Sequence, residues 1–208
     1  DFDFDYFFKR ATVIDDYNVV IIDGIIDTVG DIHHLLHQAS ENKENYVIFC
    51  YGVSPEVKHT ILNNNKRGIT KVFPIDIKVC EYSLNILNDI AIIHGDDVIS
   101  ALKGQTISQA VSKKLKKGKR IKIKKNNIII EKVCLESDYV IHKKFLNKRI
   151  LESTNETNRK YLRKRFKRLN TKTIEIIIPE SLNYQNSFSR ELDYLIRFIT
   201  NLDKKFIK

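Results

Sequence analysis

The sequence predicts an α/β fold in which layered sheets are flanked by helices. The main observation is a strand–helix–strand pattern between residues 46 and 75. An apolar strand at residues 19–22 also precedes a helix whose apolar residues recur at helical spacing. Residues 119–131 alternate before an Asn-Asn pair and are apolar after it, which indicates a β-hairpin. Strands that alternate with helices are typical of an α/β domain.

The central unit has clear boundaries. Tyr46–Cys50 is a short apolar run rich in β-forming residues, which indicates a buried strand. Ser54-Pro55-Glu56 predicts a helix start, because it supplies a capping hydroxyl, a proline at the first helical position and an acid near the positive end of the dipole. Gly68 predicts the helix end. The pattern of a strand resumes over Ile69–Ile75.

The preceding helix begins with a similar signal. Thr28 and Asp31 have the spacing of a capping box. The helix places Val29, Ile32, Leu35, Leu36 and Ala39 at helical spacing, with His33 and Leu36 at the border of this apolar stripe. Three histidines, His33, His34 and His37, could indicate a metal site, but no further ligand follows them at a fixed spacing. We expect no metal here.

The second half of the chain predicts further helices and strands. A helix starts near Ser83 and ends at Gly95, and a short strand follows at residues 97–100. Beyond the hairpin, helices are expected at about 136–152 and 156–169. A strand at 173–178, a break at Pro179 and an amphipathic helix over 187–202 complete the prediction.

Composition excludes several classes of protein. The chain has 208 residues, of which 42% are hydrophobic and 30% charged, so a packed core is expected. It contains no run long enough to span a bilayer and no signal-peptide core. Its three cysteines lack metal-ligand spacing and are expected to be reduced structural thiols. The first strand–turn–helix lacks a glycine-rich phosphate cradle. A chain without methionine that starts at Asp1 is expected to be a piece of a longer protein.

The net charge of +10 is distributed unevenly. Residues 1–112 carry 9 Lys/Arg and 16 Asp/Glu, whereas residues 113–208 carry 27 and 10. Such asymmetry is consistent with an anionic partner such as nucleic acid. It is equally typical of solvated helix faces in a chain rich in Lys, Asn and Ile.

Several segments together resemble a group I (GroEL-type) chaperonin. They are Asn64 with Arg67-Gly68-Ile69-Thr70-Lys71-Val72, then Leu87-Asn88-Asp89-Ile90-Ala91 and Val98-Ile99-Ser100. The similarity runs from about Ile21 to Ser100 and returns at 120–123 and 158–162. The resemblance implies a chaperonin apical-domain-like fold over residues 1–172, and a returning segment of the intermediate domain over 173–208.

The resemblance also implies a function. Apical domains of this family hold non-native polypeptides in an apolar groove between two helices, and the mobile loop of a co-chaperonin competes for that groove. The matching positions in this sequence are Phe2, Tyr6, Phe7, His33, Leu36, Lys58, Leu62 and Asn63. His33, Lys58 and Asn63 stand where the family usually has aliphatic residues, so we expect a more polar groove and weaker or narrower capture of hydrophobic clients.

The resemblance further implies an ATP-driven, ring-forming parent protein. Asp193 is the counterpart of the intermediate-domain aspartate that positions the water attacking ATP. ATP and Mg²⁺ would be cofactors of the full-length parent only, and we expect no cofactor and no ATPase activity in this fragment. The composition suggests an organellar chaperonin, of plastid, apicoplast or mitochondrial type, or a cytoplasmic one if the source is bacterial or viral.

Two alternatives stay open on the sequence alone. The basic second half could form a nucleic-acid-binding module, although no known motif for RNA or DNA binding is present, which makes this partner less expected. The polar groove positions also permit a structural protein that has inherited the fold and lost client binding. Membrane association is not expected.

Overall fold

The computed structural model describes residues 2–3, 12–113, 115–124, 127–170 and 194. The chain divides into two compact units, Asp1–Leu169 and Asn170–Lys208. Almost all of the described residues belong to the first unit. The predicted strand at 173–178, the break at Pro179 and the helix at 187–202 lie outside the described residues, and the domain boundary at 172/173 stays a prediction.

The described chain contains nine strands and seven helical segments. The strands are β1 (Phe2–Asp3), β2 (Thr12–Asp23), β3 (Ile25–Ile26), β4 (Asn45–Cys50), β5 (Gly52–Val53), β6 (Lys71–Ile77), β7 (Ile99–Ser100), β8 (Lys117–Lys124) and β9 (Asn127–Ile130). The helices are α1 (Val29–Asn42), α2 (Pro55–Lys66), α3 (Ser83–His94), a 3₁₀ turn (Ala101–Lys103), α4 (Ile107–Ser112), α5 (Glu136–Glu152) and α6 (Glu156–Asn170).

The main sheet is mixed, with the strand order β1-β6-β4-β2-β8-β9. Strands β2, β4 and β6 are parallel to one another, whereas β1, β8 and β9 pair antiparallel with their neighbours. A parallel strand, β7, pairs with the carboxyl end of β2, and β3 and β5 form a separate ribbon. The predicted α/β class, with a sheet flanked by helices, is confirmed.

The parallel strands are covered by apolar packing on both faces. Alternate residues of β2 and β4 serve opposite cores, because side chains of a strand point to opposite sides. One core combines Val19, Ile21, Val47 and Phe49 with α3, and the other combines Val20, Ile22, Tyr46 and Ile48 with α1 and α2. Helices α1 and α2 therefore share one face, and α3 covers the opposite face. This explains why β2 and β4 are nearly continuous apolar runs.

A third apolar cluster joins the two last helices of the first unit. It contains Tyr139, Leu146 and Ile150 of α5 with Leu162 and Leu169 of α6, and Ile92 and Ile93 of α3 pack against it. Both helices have the bounds expected from the sequence within one residue.

Most local signals are confirmed. The Val57 amide donates to the Ser54 hydroxyl at 3.3 Å, and Thr28 and Asp31 form the predicted capping box. Gly68 has a φ of 68°, as expected of a residue that ends a helix. Strands β8 and β9 form the predicted hairpin.

Several strands differ from their predicted bounds, and the sheet explains the differences at β2 and β6. β2 begins at Thr12 rather than at residue 19, because β8 pairs with its mixed polar and apolar first half. β6 runs through Pro74 to Ile77. Among the described residues β1 pairs only with Asp76 and Ile77, so β6 is an edge strand at Pro74, where a missing backbone donor is tolerated.

A buried tyrosine–histidine pair connects β2 to α3. The Tyr17 hydroxyl lies 2.8 Å from His94 Nε2, and His94 Nδ1 lies 2.8 Å from the Ile90 carbonyl oxygen. A carbonyl oxygen only accepts, so the His94 proton is on Nδ1, and Nε2 accepts from Tyr17. Burial lowers the pKa of His94. The neutral ring is therefore the form that the fold requires.

The Tyr17 ring lies directly on Gly118. A Cβ atom at position 118 would lie 2.1 Å from Tyr17 Cζ, whereas one at Gly52 would meet nothing within 4 Å. We expect Gly118→Ala to lower the free energy of unfolding by about 1–3 kcal/mol, as overpacking of a core does. Gly52→Ala is the control and should change it by less than about 0.5 kcal/mol. Urea unfolding measures both, and equal losses would contradict the proposed contact.

The lowered pKa of His94 predicts a pH-dependent stability. As pH falls below the unfolded-state value of about 6.5, the unfolded chain binds a proton that the folded chain does not, so stability decreases by up to about 1.4 kcal/mol per pH unit. Urea unfolding at about pH 7.5 and pH 5.5 should show this loss in the wild type. The loss should be smaller in His94→Gln and unchanged in the control His34→Gln, whose side chain is exposed. If His94→Gln lost as much stability at about pH 5.5 as the wild type does, the pH dependence would belong to another group.

Candidate functional site

The predicted groove is bounded by α1 and α2, which lie on the same face of the main sheet. On α1, His33 is exposed, and its ring packs edge-on against His34 at a centroid separation of 5.6 Å. Leu36 is only 8% exposed and belongs to the core beneath both helices. The expectation that Leu36 supplies exposed apolar surface is wrong. It lies one turn from Ile32, so the buried stripe is wide enough to include it.

On α2, two side chains of one stripe are bonded to β6. Lys58 Nζ lies 2.9 Å from Asp76 Oδ2, and both side chains are largely buried, with 21% and 15% exposure. Asn65 Nδ2 donates to the Val72 carbonyl at 2.7 Å, and the Val72 amide donates back to Asn65 Oδ1 at 3.1 Å. The stripe that carries Lys58, Leu62 and Asn65 is therefore directed toward β6.

The other two predicted site residues of α2, Leu62 and Asn63, are half-buried. Leu62 lies between Lys58 and Asn65 on their stripe and is outside the core that contains Leu36. Asn63 lies next to it in sequence, and its side-chain amide is 3.3 Å from the ring nitrogens of His59, four residues earlier on α2. Leu36 and Leu62 thus belong to different environments, and they do not form the apolar lining that the resemblance implies.

The N-terminal segment begins beside the same part of β6. Phe2 pairs with Ile77 and Asp3 with Asp76 in the register of β1 and β6. The structure therefore places Asp3 opposite the strand residue that binds Lys58, and Phe2 opposite the residue after it. Tyr6, Phe7 and Asp193 lie outside the described residues, and their roles stay predictions. We call Lys58, Leu62, Asn65, Asp76 and β1 the α2–β6 corner.

The polar groups of the α2–β6 corner bond one another. The Cys50 thiol lies 3.9 Å from Asp76 Oδ1, and burial raises the pKa of Cys50 to about 12. The thiol is therefore protonated at neutral pH and is a poor nucleophile. Asp76 is ion-paired with Lys58, and its carboxylate lies near the Cys50 thiol. Lys58, Asp76 and Leu62 thus give the corner a cation, a carboxylate and an apolar side chain.

Exposed apolar side chains lie elsewhere in the part of the chain that the structure describes. None of its large exposed hydrophobic residues is on α1 or α2. The most exposed lie in loops, in the 3₁₀ turn, on α5 and at position 194, namely Val79, Leu102, Leu135, Ile141, Leu151 and Tyr194. The predicted polar character of the α1–α2 face is consistent with this distribution.

A buried polar network was not anticipated from the sequence. Asp89 of α3 accepts from Arg165 of α6 at 2.7 and 2.9 Å, and its carboxylate lies 3.0 Å from His142 Nε2 of α5. Arg165 also donates to Asn85 at 3.0 Å. Burial raises the pKa of Asp89, but the hydrogen bonds from His142 and Arg165 outweigh burial and hold that pKa below its usual value.

The sequence does contain one indication of this network, which is the position of a cation on the apolar stripe of α6. Arg165 falls between Leu162 and Leu169 on the buried stripe of α6, where a cation requires a buried partner. The residues of the network bond one another, so we assign them the role of fixing α6 and α5 on α3.

Grouped metal ligands and membrane-spanning helices are both absent from the part of the chain that the structure describes. Among them, no group of three or more His, Cys, Asp or Glu side chains has the arrangement of a metal site. No described helix has both the length and the apolar character needed to cross a membrane.

The chain is similar in structure to a solved chaperonin, but it matches no family model. A solved structure described as a group III chaperonin in the open state matches 78% of this chain with a TM-score of 0.41 and 8% sequence identity. The matched region spans 44% of that chaperonin chain. Membership of group I and an organellar location stay predictions.

The buried network predicts that Arg165 is essential for stability. Arg165→Met leaves the Asp89 charge buried without its main partner, so we expect the free energy of unfolding to fall by about 3–5 kcal/mol. The double variant Asp89→Leu/Arg165→Met should recover a large part of that loss, because neither charge then stays buried.

The matched control is Arg163→Met, since Arg163 is an exposed cation on the same helix. It should change the free energy of unfolding by less than about 0.5 kcal/mol. Chemical denaturation of all four proteins tests the network. Equal effects at positions 163 and 165 would show that the ion pair contributes nothing measurable.

Proposed function

We propose that this chain acts as a chaperonin-type apical domain that binds non-native polypeptides at the α2–β6 corner. The observation that carries the proposal is the half-buried Leu62 beside the Lys58–Asp76 pair, next to the strand where the N-terminal segment begins. The proposal also draws on the sequence motifs that resemble group I chaperonins. The proposed binding surface lies on the β6 side of α2, whereas the resemblance implies a groove between α1 and α2.

An extended segment of a client would lie along α2. Leu62 and the methylene groups of Lys58 would supply apolar contact, since burying such surface gains about 25 cal/mol per Å² whatever the client's sequence. The Lys58 ammonium and the Asp76 carboxylate would contact polar groups of the client. Lys58 and Asp76 bind each other in the absence of a client, so a client must compete for their charges. This competition would weaken client binding and favour polar or acidic client segments.

The wider assignment is part of the same proposal. The parent protein would be a ring-forming homo-oligomer driven by ATP and Mg²⁺, and the loop of a co-chaperonin would compete for the client surface. Asp193 would activate water only in that parent. Exposed His33 and half-buried Asn63 would contribute contacts at the margins of the surface, and Tyr6 and Phe7 would add aromatic area.

The proposal predicts opposite effects of two substitutions on α2. Leu62→Glu should reduce binding of a chemically denatured client at least about tenfold, because it replaces the main apolar contact by a charge. Lys58→Leu combined with Asp76→Asn should increase binding several-fold, because it removes the ion pair that competes with clients. Fluorescence titration with a labelled denatured protein measures both.

The control is Leu84→Glu, since Leu84 is 48% exposed and lies on α3, which packs on the opposite face of the sheet. It should leave client binding unchanged, and circular dichroism should show that all variants are folded. If Leu62→Glu and Leu84→Glu reduce binding equally, the surface is not at α2. If no variant alters binding, the chain is better regarded as a structural protein that does not capture clients.

A further inference from the structure

Helix α6 has a fixed inner face. Leu162 and Leu169 pack in the third apolar cluster, and Arg165 between them is 3% exposed and bonded to Asp89. These three residues determine which side of the helix points away from α3 and α5. The opposite side of α6 is consequently exposed to solvent.

That outer side is formed by cations. Lys160, Arg163, Lys164 and Arg168 are all exposed, and none has an ion-pair partner within the described ranges. At 100° per residue these four positions fall within an arc of roughly 140°, and Lys167 falls within it as well. The only acid of the helix, Glu156, is at its first position and binds Arg159. We call these four residues the α6 basic face.

The α6 basic face is unfavourable for the isolated helix. Lys160, Lys164 and Arg168 are spaced four residues apart, and like charges at this spacing destabilise a helix. On α5, by contrast, Lys148 pairs with Glu152, and Arg149 lies 5.7 Å from the centroid of the Phe145 ring. A row of unpaired like charges held in place by a buried ion pair is suited to a polyanion.

We infer that the α6 basic face binds the phosphate backbone of a single nucleic-acid strand. Three cations follow one line with a rise of about 6 Å between successive members, which suits the spacing of phosphates along an extended strand. No large exposed hydrophobic residue lies on α6, so the face offers no apolar anchor of the kind that peptide ligands use. Contacts to phosphates give affinity through charge alone and do not depend on the nucleotide sequence.

This inference is independent of the proposed client binding, because it involves no residue of the α2–β6 corner. It also differs from the general attraction of a basic protein for nucleic acid. The charge is assigned to one helix face, so substitutions there must act differently from equal substitutions elsewhere.

The test uses a fluorescein-labelled oligouridylate of about 20 nucleotides, long enough to cover one site. Anisotropy titrations over about 50–200 mM salt give the slope of log K against log salt, expected near −3 for four phosphates on a single strand, or an affinity loss of about 60-fold. The variant Lys160→Gln/Lys164→Gln/Arg168→Gln should reduce the slope to about −1, since it removes three contacts.

The matched control is Lys66→Gln/Lys71→Gln/Lys103→Gln, which removes the same charge from exposed positions outside α6. It should keep the wild-type slope and affinity. Equal loss in the control would assign binding to net charge and overturn the inference, as would the absence of binding by the wild type. Competition by polyglutamate as effective as that by unlabelled RNA would also overturn it, because the face would then not distinguish nucleic acid from an acidic polypeptide.

Discussion

The structure depends on the burial of its parallel strands on both faces. β2 and β4 alternate between two cores, so every residue of their central parts needs a covering layer. The chain meets this requirement by placing α1 and α2 on one face and α3 on the other, after which β7 returns to the far side of β2. This arrangement decides which helix faces reach solvent. It therefore also decides where binding surfaces can occur.

Polar contacts then set the rotation of individual helices. Asn65 bonds the backbone of Val72, and Lys58 bonds Asp76, so α2 is held with one stripe toward β6. Arg165 plays the corresponding part for α6 through Asp89. A buried ion pair is weak evidence of net stability, because desolvation offsets the Coulomb attraction. Its effect here is specificity, since other rotations of either helix would leave a charge buried without a partner.

Local features of this fold were predictable because their signals are local. The Ser54 cap, the turn at Gly68 and the β8–β9 hairpin each depend on neighbouring residues, and each was found where the sequence predicts it. Long-range partners were not predictable. Leu36 is at the border of the apolar stripe on a helical wheel, and only the packed sheet shows that it is buried. The same reason applies to Lys58, whose partner lies 18 positions further along the chain.

The polarity of the α2–β6 corner limits the affinity with which a single domain can bind a client. Full burial of one leucine contributes about 1.5–3 kcal/mol, whereas a micromolar complex requires about 8 kcal/mol. Leu62 therefore supplies only part of the free energy of client binding, and the largely buried Lys58–Asp76 pair adds little while its charges satisfy each other. Under the proposed function, tighter capture would come from contacts repeated in several copies of the domain, because linked weak sites raise the overall affinity by about 10²–10⁴. The ring of the proposed parent protein would then hold a client that engages several domains longer than a client that engages one domain.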